Sequence, residues 1–202
     1  MVRFIKRKDE LTDIPGARYV MFVRHGKAED IGAPSYDDFN RRLTDKGMQQ
    51  LVKFFPKLAA RMKEKFPDET WRVYSSPRVR ALATAVCLQD ALSKTGRLEH
   101  PAAKNGSLPA KSVAEDVRVM RELDDSDLDN LLTAILEETE GSICLVGHQP
   151  YLSQWTYELT KKEIGFAKGD AVLLRLDPDR PRKAKVVWTA EIKRYLRNGA
   201  KE

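Results

Sequence analysis

Cysteine, histidine and long apolar runs are all scarce in this 202-residue chain, and each scarcity removes a class of protein. The two cysteines, Cys87 and Cys144, lack CxxC spacing and sit among apolar neighbours, which argues against a disulfide framework or thiolate metal site and predicts buried thiols. Only His25, His100 and His148 could supply imidazole, and no two are close in sequence, so no catalytic metal is expected and His100 is read as a surface residue. No apolar stretch approaches the roughly 20 residues needed to cross a bilayer, and residues 1–11 are charged rather than signal-like. The expectation is a soluble, cytoplasmic protein with no membrane partner. Repeats and low-complexity segments are lacking too, so the chain can be parsed by hydrophobic period.

What is present suits one globular domain. Hydrophobic residues make up 42% of the sequence, enough for a single core, with the domain expected over residues 16–190 between tails at 1–15 and 191–202. The 36 Lys and Arg exceed the 30 Asp and Glu, for a net charge of +6. An anionic substrate fits that balance. Nucleic acid is not expected as a partner, because the basic residues are scattered, lack interleaved aromatics and match no nucleic-acid motif.

Strands and helices alternate along the chain. Tyr19–Val23 reads as a strand, followed by a polar loop to Arg42 broken by Gly32 and Pro34. Thr44 then caps a helix carrying Met48, Leu51, Val52, Phe55, Leu58, Ala59 and Met62 on one face, with Pro56 predicted to kink or split it. Trp71–Tyr74 forms a second strand, and Pro77 opens a helix through Leu82, Val86 and Leu92. The stretch 94–112 reads as loop, 117–123 as a short strand, and 127–138 as a helix with Leu128, Leu131, Leu132, Ile135 and Leu136 inward. Ile143–Val146 is a third strand, and 171–176 with 185–190 closes the domain as a hairpin around Asp177-Pro178-Asp179. Trp71, Trp155 and Trp188 are read as core. This order predicts a three-layer α/β/α sandwich, mostly parallel with an antiparallel edge.

Chemistry gathers at the strand ends. The first strand ends in Arg24-His25-Gly26, the second leads through Ser75-Ser76-Pro77 to Arg80 at a helix start, and the third ends in Gly147-His148. Parallel strands deliver their C-terminal ends to one edge of the sheet, so residues far apart in sequence can converge there. Two arginines and two histidines around one point make a pocket for a phosphoryl group, with guanidinium to hold its oxygens and imidazole to attack phosphorus.

These segments resemble the motifs of the histidine phosphatase superfamily, the phosphoglycerate mutase-like proteins. Arg24-His25-Gly26 resembles the first motif, residues 75–81 with Thr84-Ala85 the second, and Gly147-His148 the third, while Leu43-Thr44 and Gly47 look like the opening of the family's first helix. Arg24-His25-Gly26-Lys27-Ala28, Gly147-His148-Gln149-Pro150 and the terminal hairpin are similar to the small SixA-type phosphohistidine phosphatases. The resemblance spans roughly residues 19–190. It implies a phosphoglycerate mutase-like fold, a metal-independent phosphatase without cofactors, and His25 as a nucleophile that becomes phosphorylated. Arg24, Arg80 and His148 would bind phosphate and stabilise the transition state. His25 should be neutral and His148 protonated. Arg80, directly before the alanine, takes the motif position; Arg78 is read as a rim cation and Lys27 as a rim or surface lysine.

The general acid is the weakest match. Glu122 in Arg121-Glu122-Leu123-Asp124-Asp125 is the candidate, Asp124 the reserve, and a solvated acidic loop or helix cap the alternative. An alkoxide leaves poorly without a proton donor, whereas imidazole has its own pKa near neutrality, so a blurred acid points to phosphohistidine. The implied partner is a phosphorylated protein or a small phosphorylated molecule. Small-ester hydrolysis, with Glu122 as the acid, and a non-catalytic phospho-ligand module remain alternatives. Oligomeric state is not legible.

Overall fold

The computed structural model describes residues 18–31, 37–96, 116–137, 141–177 and 179–198. In chain order these form β1 (Arg18–Arg24), α1 (Asp45–Lys65), β2 (Trp71–Ser75), α2 (Val79–Gly96), β3 (Arg118–Val119), a 3₁₀ turn (Arg121–Asp124), α3 (Leu128–Glu137), β4 (Ser142–Gly147), α4 (Tyr151–Thr160), β5 (Ala171–Asp177), β6 (Arg180–Ala190) and α5 (Ile192–Asn198). The strands make one sheet in the order β3-β2-β4-β1-β5-β6. β3, β2, β4 and β1 run parallel, and the β5–β6 hairpin adds the antiparallel edge against β1.

Period-two alternation divides the apolar residues of each strand between two faces. Met21, Val23, Val73, Cys144 and Val146 pack against α1, α2 and α5, whereas Val20, Phe22, Ile143 and Leu145 pack against α3 and α4. The result is the expected three-layer α/β/α sandwich. Cys87 and Cys144 are free and buried, and burial pushes both thiols up, Cys87 to about 11. Trp155 and Trp188 are fully buried, while Trp71 is half-buried beside Phe66.

Several local expectations change. α1 is one continuous helix despite Pro56. The amide that Pro56 lacks would have bonded the Val52 carbonyl, and both residues lie on the exposed side, where water can serve that oxygen. Val52 is therefore outward, and Phe54 takes the inward position. The buried stripe of α2 is Ala81, Ala85, Leu88 and Ala91, with Leu82, Val86 and Leu92 only partly covered, and Leu136 of α3 faces solvent. Small residues on α2 let it lie close to the sheet. The expected strand at 117–123 shortens to two residues and becomes the 3₁₀ turn. Residues 191–202, read as a tail, contain α5, whose Ile192 is buried and whose Tyr195 stacks edge-on against Phe54 of α1. Gly32, Pro34, His100, Pro178 and the loop beyond residue 96 lie outside the described residues.

Candidate active site

Sheet register brings the three strand ends level. Arg24 pairs with Gly147 between β1 and β4, and Ser75 with Val146 between β2 and β4. One residue further on, the His25 amide donates to the Gly147 carbonyl at 3.1 Å and the Ser76 amide to the Val146 carbonyl at 3.0 Å. His25, Ser76 and His148 thus leave the sheet at one height. The rings of His25 and His148 stand 5.1 Å apart, centroid to centroid. Both are buried, as is Arg80.

His25 has a defined tautomer. Its Nδ1 lies 2.7 Å from the Gly26 carbonyl, which can only accept, so Nδ1 carries the proton and Nε2 the lone pair. Arg80 Nε donates to that Nε2 across 3.4 Å. Burial above all, then the cationic neighbours, pull the His25 pKa down to about 3 against the Gly26 hydrogen bond. The ring is neutral at physiological pH, as a nucleophile must be. His148 is pulled down to about 3 as well, by burial first and then by Arg80 and Arg78. Burial first and the arginines second thus favour the neutral ring, against the expectation that His148 is protonated. Its Nε2 sits 2.8 Å from Ser76 Oγ, while Nδ1 is buried without a partner among the described residues.

Neighbouring segments hold each cation. Arg24 Nη1 donates to the Phe166 carbonyl at 2.7 Å, and the Gly169 amide donates to the Arg24 and His25 carbonyls, both at 3.1 Å. Asp170, whose carboxylate accepts from the Ala167 and Ile192 amides, closes that turn and takes the Arg24 amide on its own carbonyl. Thr84 ties the first motif to the second: its hydroxyl accepts from the Gly26 amide at 3.0 Å and donates to the Arg80 carbonyl at 2.7 Å. Arg80 also donates to the backbone carbonyl and carboxylate of Asp38.

Two glycines act through packing. A Cβ on Gly47 would stand 2.2 Å from the Lys27 carbonyl oxygen, the same oxygen that accepts from the Thr44 amide at 2.9 Å, while Thr44 Oγ1 caps α1 by accepting from the Gly47 amide. The loop leaving His25 is thereby fastened to the start of α1. The missing Cβ of Gly26 makes room for Leu51 and Leu43.

The acidic residues divide differently from the expectation. Asp124, the reserve, comes to the site: its Oδ1 accepts from Arg78 Nε and lies 3.8 Å from His148 Nε2. Glu122 is half-buried on the same 3₁₀ turn, and its side chain forms no hydrogen bond or ion pair with the site residues. Asp127, by contrast, caps α3 through the Asp129 and Asn130 amides. Arg78 is a rim cation, bound to Asp38 and Asp124, and Lys27 is exposed. Asp38, Ser76 and Asp170 were missed as contributors. Ser76 lies inside the second motif, but Asp38 and Asp170 carry no local signal that separates them from ordinary acidic loops. Among the described residues no group of three or more His, Cys, Asp or Glu could hold a metal ion, and no helix is long and apolar enough to cross a membrane.

The fold has counterparts among solved structures. The protein histidine phosphatase SixA complexed with tungstate aligns with a TM-score of 0.60 at 22% identity, covering 87% of this chain and 98% of that one. A SixA protein from Agrobacterium tumefaciens aligns at 0.59 and 19% identity, covering 86% and 97%. Phosphoglycerate mutase from Bacillus anthracis aligns at 0.55 and 13%, covering 92% and 97%. No family model and no curated protein matches the sequence. The chain therefore has the phosphoglycerate mutase-like α/β/α fold of the histidine phosphatases, as the motif resemblance implied.

Proposed function

We propose that this chain is a metal-independent phosphatase that works through a phosphohistidine formed on His25, with a cytoplasmic phosphoprotein bearing phosphohistidine as its substrate. The observation that carries the reading is the state of His25: neutral, with its proton held on Nδ1 by Gly26 and its Nε2 lone pair facing the Arg80 guanidinium. A phosphoryl group bound there would replace this contact, with phosphorus facing Nε2 and its oxygens taking the guanidinium donors. Nε2 attacks phosphorus, the bond to the leaving group breaks, and Arg80, Arg24 and His148 stabilise the charge on the transferring oxygens. Water then attacks the phosphorylated His25, releasing inorganic phosphate and restoring the free imidazole.

The leaving group follows from the acids. Asp124 is occupied as an acceptor for Arg78, and Glu122 forms no hydrogen bond or ion pair with the site. A site with no positioned proton donor among the described residues suits an imidazole, which leaves readily from phosphorus and takes its proton from water, better than an alkoxide. Small-ester hydrolysis would need Glu122 to supply that proton.

The test is paired initial rates on a phosphohistidine-bearing protein and a small alkyl phosphate, for wild type and His25→Ala. We expect wild type to favour the phosphohistidine protein and His25→Ala to lose at least about 10⁴-fold on it, in line with removal of other catalytic nucleophiles. Preference for the alkyl phosphate would overturn the substrate assignment and make Glu122 the acid. Phosphate binding without turnover of either would replace the enzyme with a binding module.

A further inference from the structure

Arg80 is aimed at His25 by a residue that none of the strand-end motifs contains. We propose that Asp38 is a positioning residue for phosphoryl transfer, gripping the outer edge of the Arg80 guanidinium so that Nε faces the attacking nitrogen of His25. The proposal rests on the reading of His25 as nucleophile.

All three guanidinium nitrogens are accounted for by two residues. Nε donates to His25 Nε2 at 3.4 Å, Nη1 donates to the Asp38 backbone carbonyl, and Nη2 donates to Asp38 Oδ2 at 3.1 Å. Because the fork is planar with fixed donor directions, holding its two outer nitrogens fixes where Nε points. Asp38 is itself braced. Its Oδ1 accepts from Arg41 Nε at 2.9 Å, and Arg41 Nη1 donates to the Glu29 carbonyl at 2.7 Å. The next residue's carbonyl, that of Phe39, accepts from the Val79 amide at 3.2 Å, so the loop is pinned to the first turn of the helix that carries Arg80. Loop and arginine form one unit.

Nothing in this arrangement suggests a role in the core. The Asp38 side chain is 41% exposed and its side-chain contacts are to the guanidiniums of Arg41, Arg78 and Arg80. Exposed ion pairs contribute little to stability, whereas a catalytic group displaced by about an ångström can cost on the order of 100-fold in rate. The carboxylate also places a negative charge where an incoming oxyanion must approach Arg80. Aim is therefore gained against a weaker resting affinity for anions, and the two effects can be measured separately.

The experiment compares wild type, Asp38→Ala and Asp38→Asn for kcat on a phosphohistidine-bearing protein, for inorganic phosphate affinity by calorimetry, and for Tm. Asp38→Ala should lower kcat by about 10- to 100-fold, bind phosphate more tightly by a few-fold, and keep its Tm. Asp38→Asn keeps the backbone carbonyl and an amide oxygen able to accept from Nη2, and should recover part of kcat. Unchanged kcat in Asp38→Ala would overturn the proposal, as would a kcat loss matched by a fall in Tm with no recovery in Asp38→Asn. Weaker phosphate binding would also overturn it, since Asp38 would then build the anion site rather than aim its arginine. If wild type itself turns over no phosphoryl substrate, the phosphatase reading falls on that result. Phosphate affinity then decides for Asp38, and an unchanged value in Asp38→Ala overturns it.

Discussion

The floor of the pocket and its rim meet at Arg80 but are held in different ways. His25, Ser76 and His148 leave strands whose heights are set by ladder pairing, and beneath them Phe22, Leu145 and Val146 are completely buried. Each such apolar side chain contributes about 1.5–3 kcal/mol on burial. Asp38, Arg78 and Asp124 are instead joined across the rim by ion pairs between partly exposed side chains, each worth roughly 0–1 kcal/mol and weakened by salt. His25 shares the stability of the core. The groups that shape access to it can rearrange without unfolding anything, which suits a site that must admit and release a charged substrate.

The comparison is tested hardest at Arg80, where the two halves join. Arg80→Ala should raise the barrier by at least about 3 kcal/mol, a loss of roughly 150-fold in kcat/KM, judged by other donors that stabilise transition-state oxyanions. Near-normal kcat/KM would remove its role. On the floor, Gly47→Ala should destabilise by about 2–4 kcal/mol, because the new methyl meets a backbone oxygen that cannot move without dragging the His25 loop. Gly26→Ala meets side-chain atoms alone, Leu51 Cδ1 at 2.7 Å and Leu43 Cδ2 at 3.2 Å, and should cost less than about 1.5 kcal/mol, and denaturant midpoints of the two variants rank them.

Acid separates the halves further. The folded-state pKa of both His25 and His148 is about 3, below the value of about 6.5 for an unfolded chain, so the unfolded state binds more protons between those limits. Stability should therefore fall as pH drops from about 6.5 towards 3, by on the order of 2 kcal/mol for each histidine at pH 5. Denaturant titrations at pH 7 and pH 5 should show a smaller acid loss in His148→Asn than in wild type; an equal loss would mean that His148 is not held neutral. The smallest effect belongs to the rim. Glu122→Gln should change phosphohistidine hydrolysis by less than about 3-fold while impairing any ester hydrolysis much more, since only an alkoxide needs the proton. Equal losses on both substrates would undo the leaving-group argument.

Much of the floor was legible in advance, because its signals are local. An apolar run followed by Arg24-His25-Gly26 states both a strand and what stands at its end, and Gly147-His148 does the same after 143–146. Helix faces were less legible. Val52 and Phe54 are both apolar, and only the packing of α1 against Tyr195 of α5 and its neighbours decided that Phe54 turns inward. The same holds for α2, where large residues suggested the buried stripe but close approach to the sheet required alanines. Glu122 and Asp124 sit two residues apart on a tight turn, and their spacing alone could not say which would reach His148.

The amino-acid sequence by itself determined the order of strands and helices and the three strand-end motifs that place His25, Arg24, Arg80 and His148, because period and punctuation are properties of neighbouring residues. Only the tertiary structure decided the protonation of His148, the partner of Arg80 and the division of the acids. Those depend on burial and on charges brought together across separations such as the 42 positions between Asp38 and Arg80, and no local pattern records them.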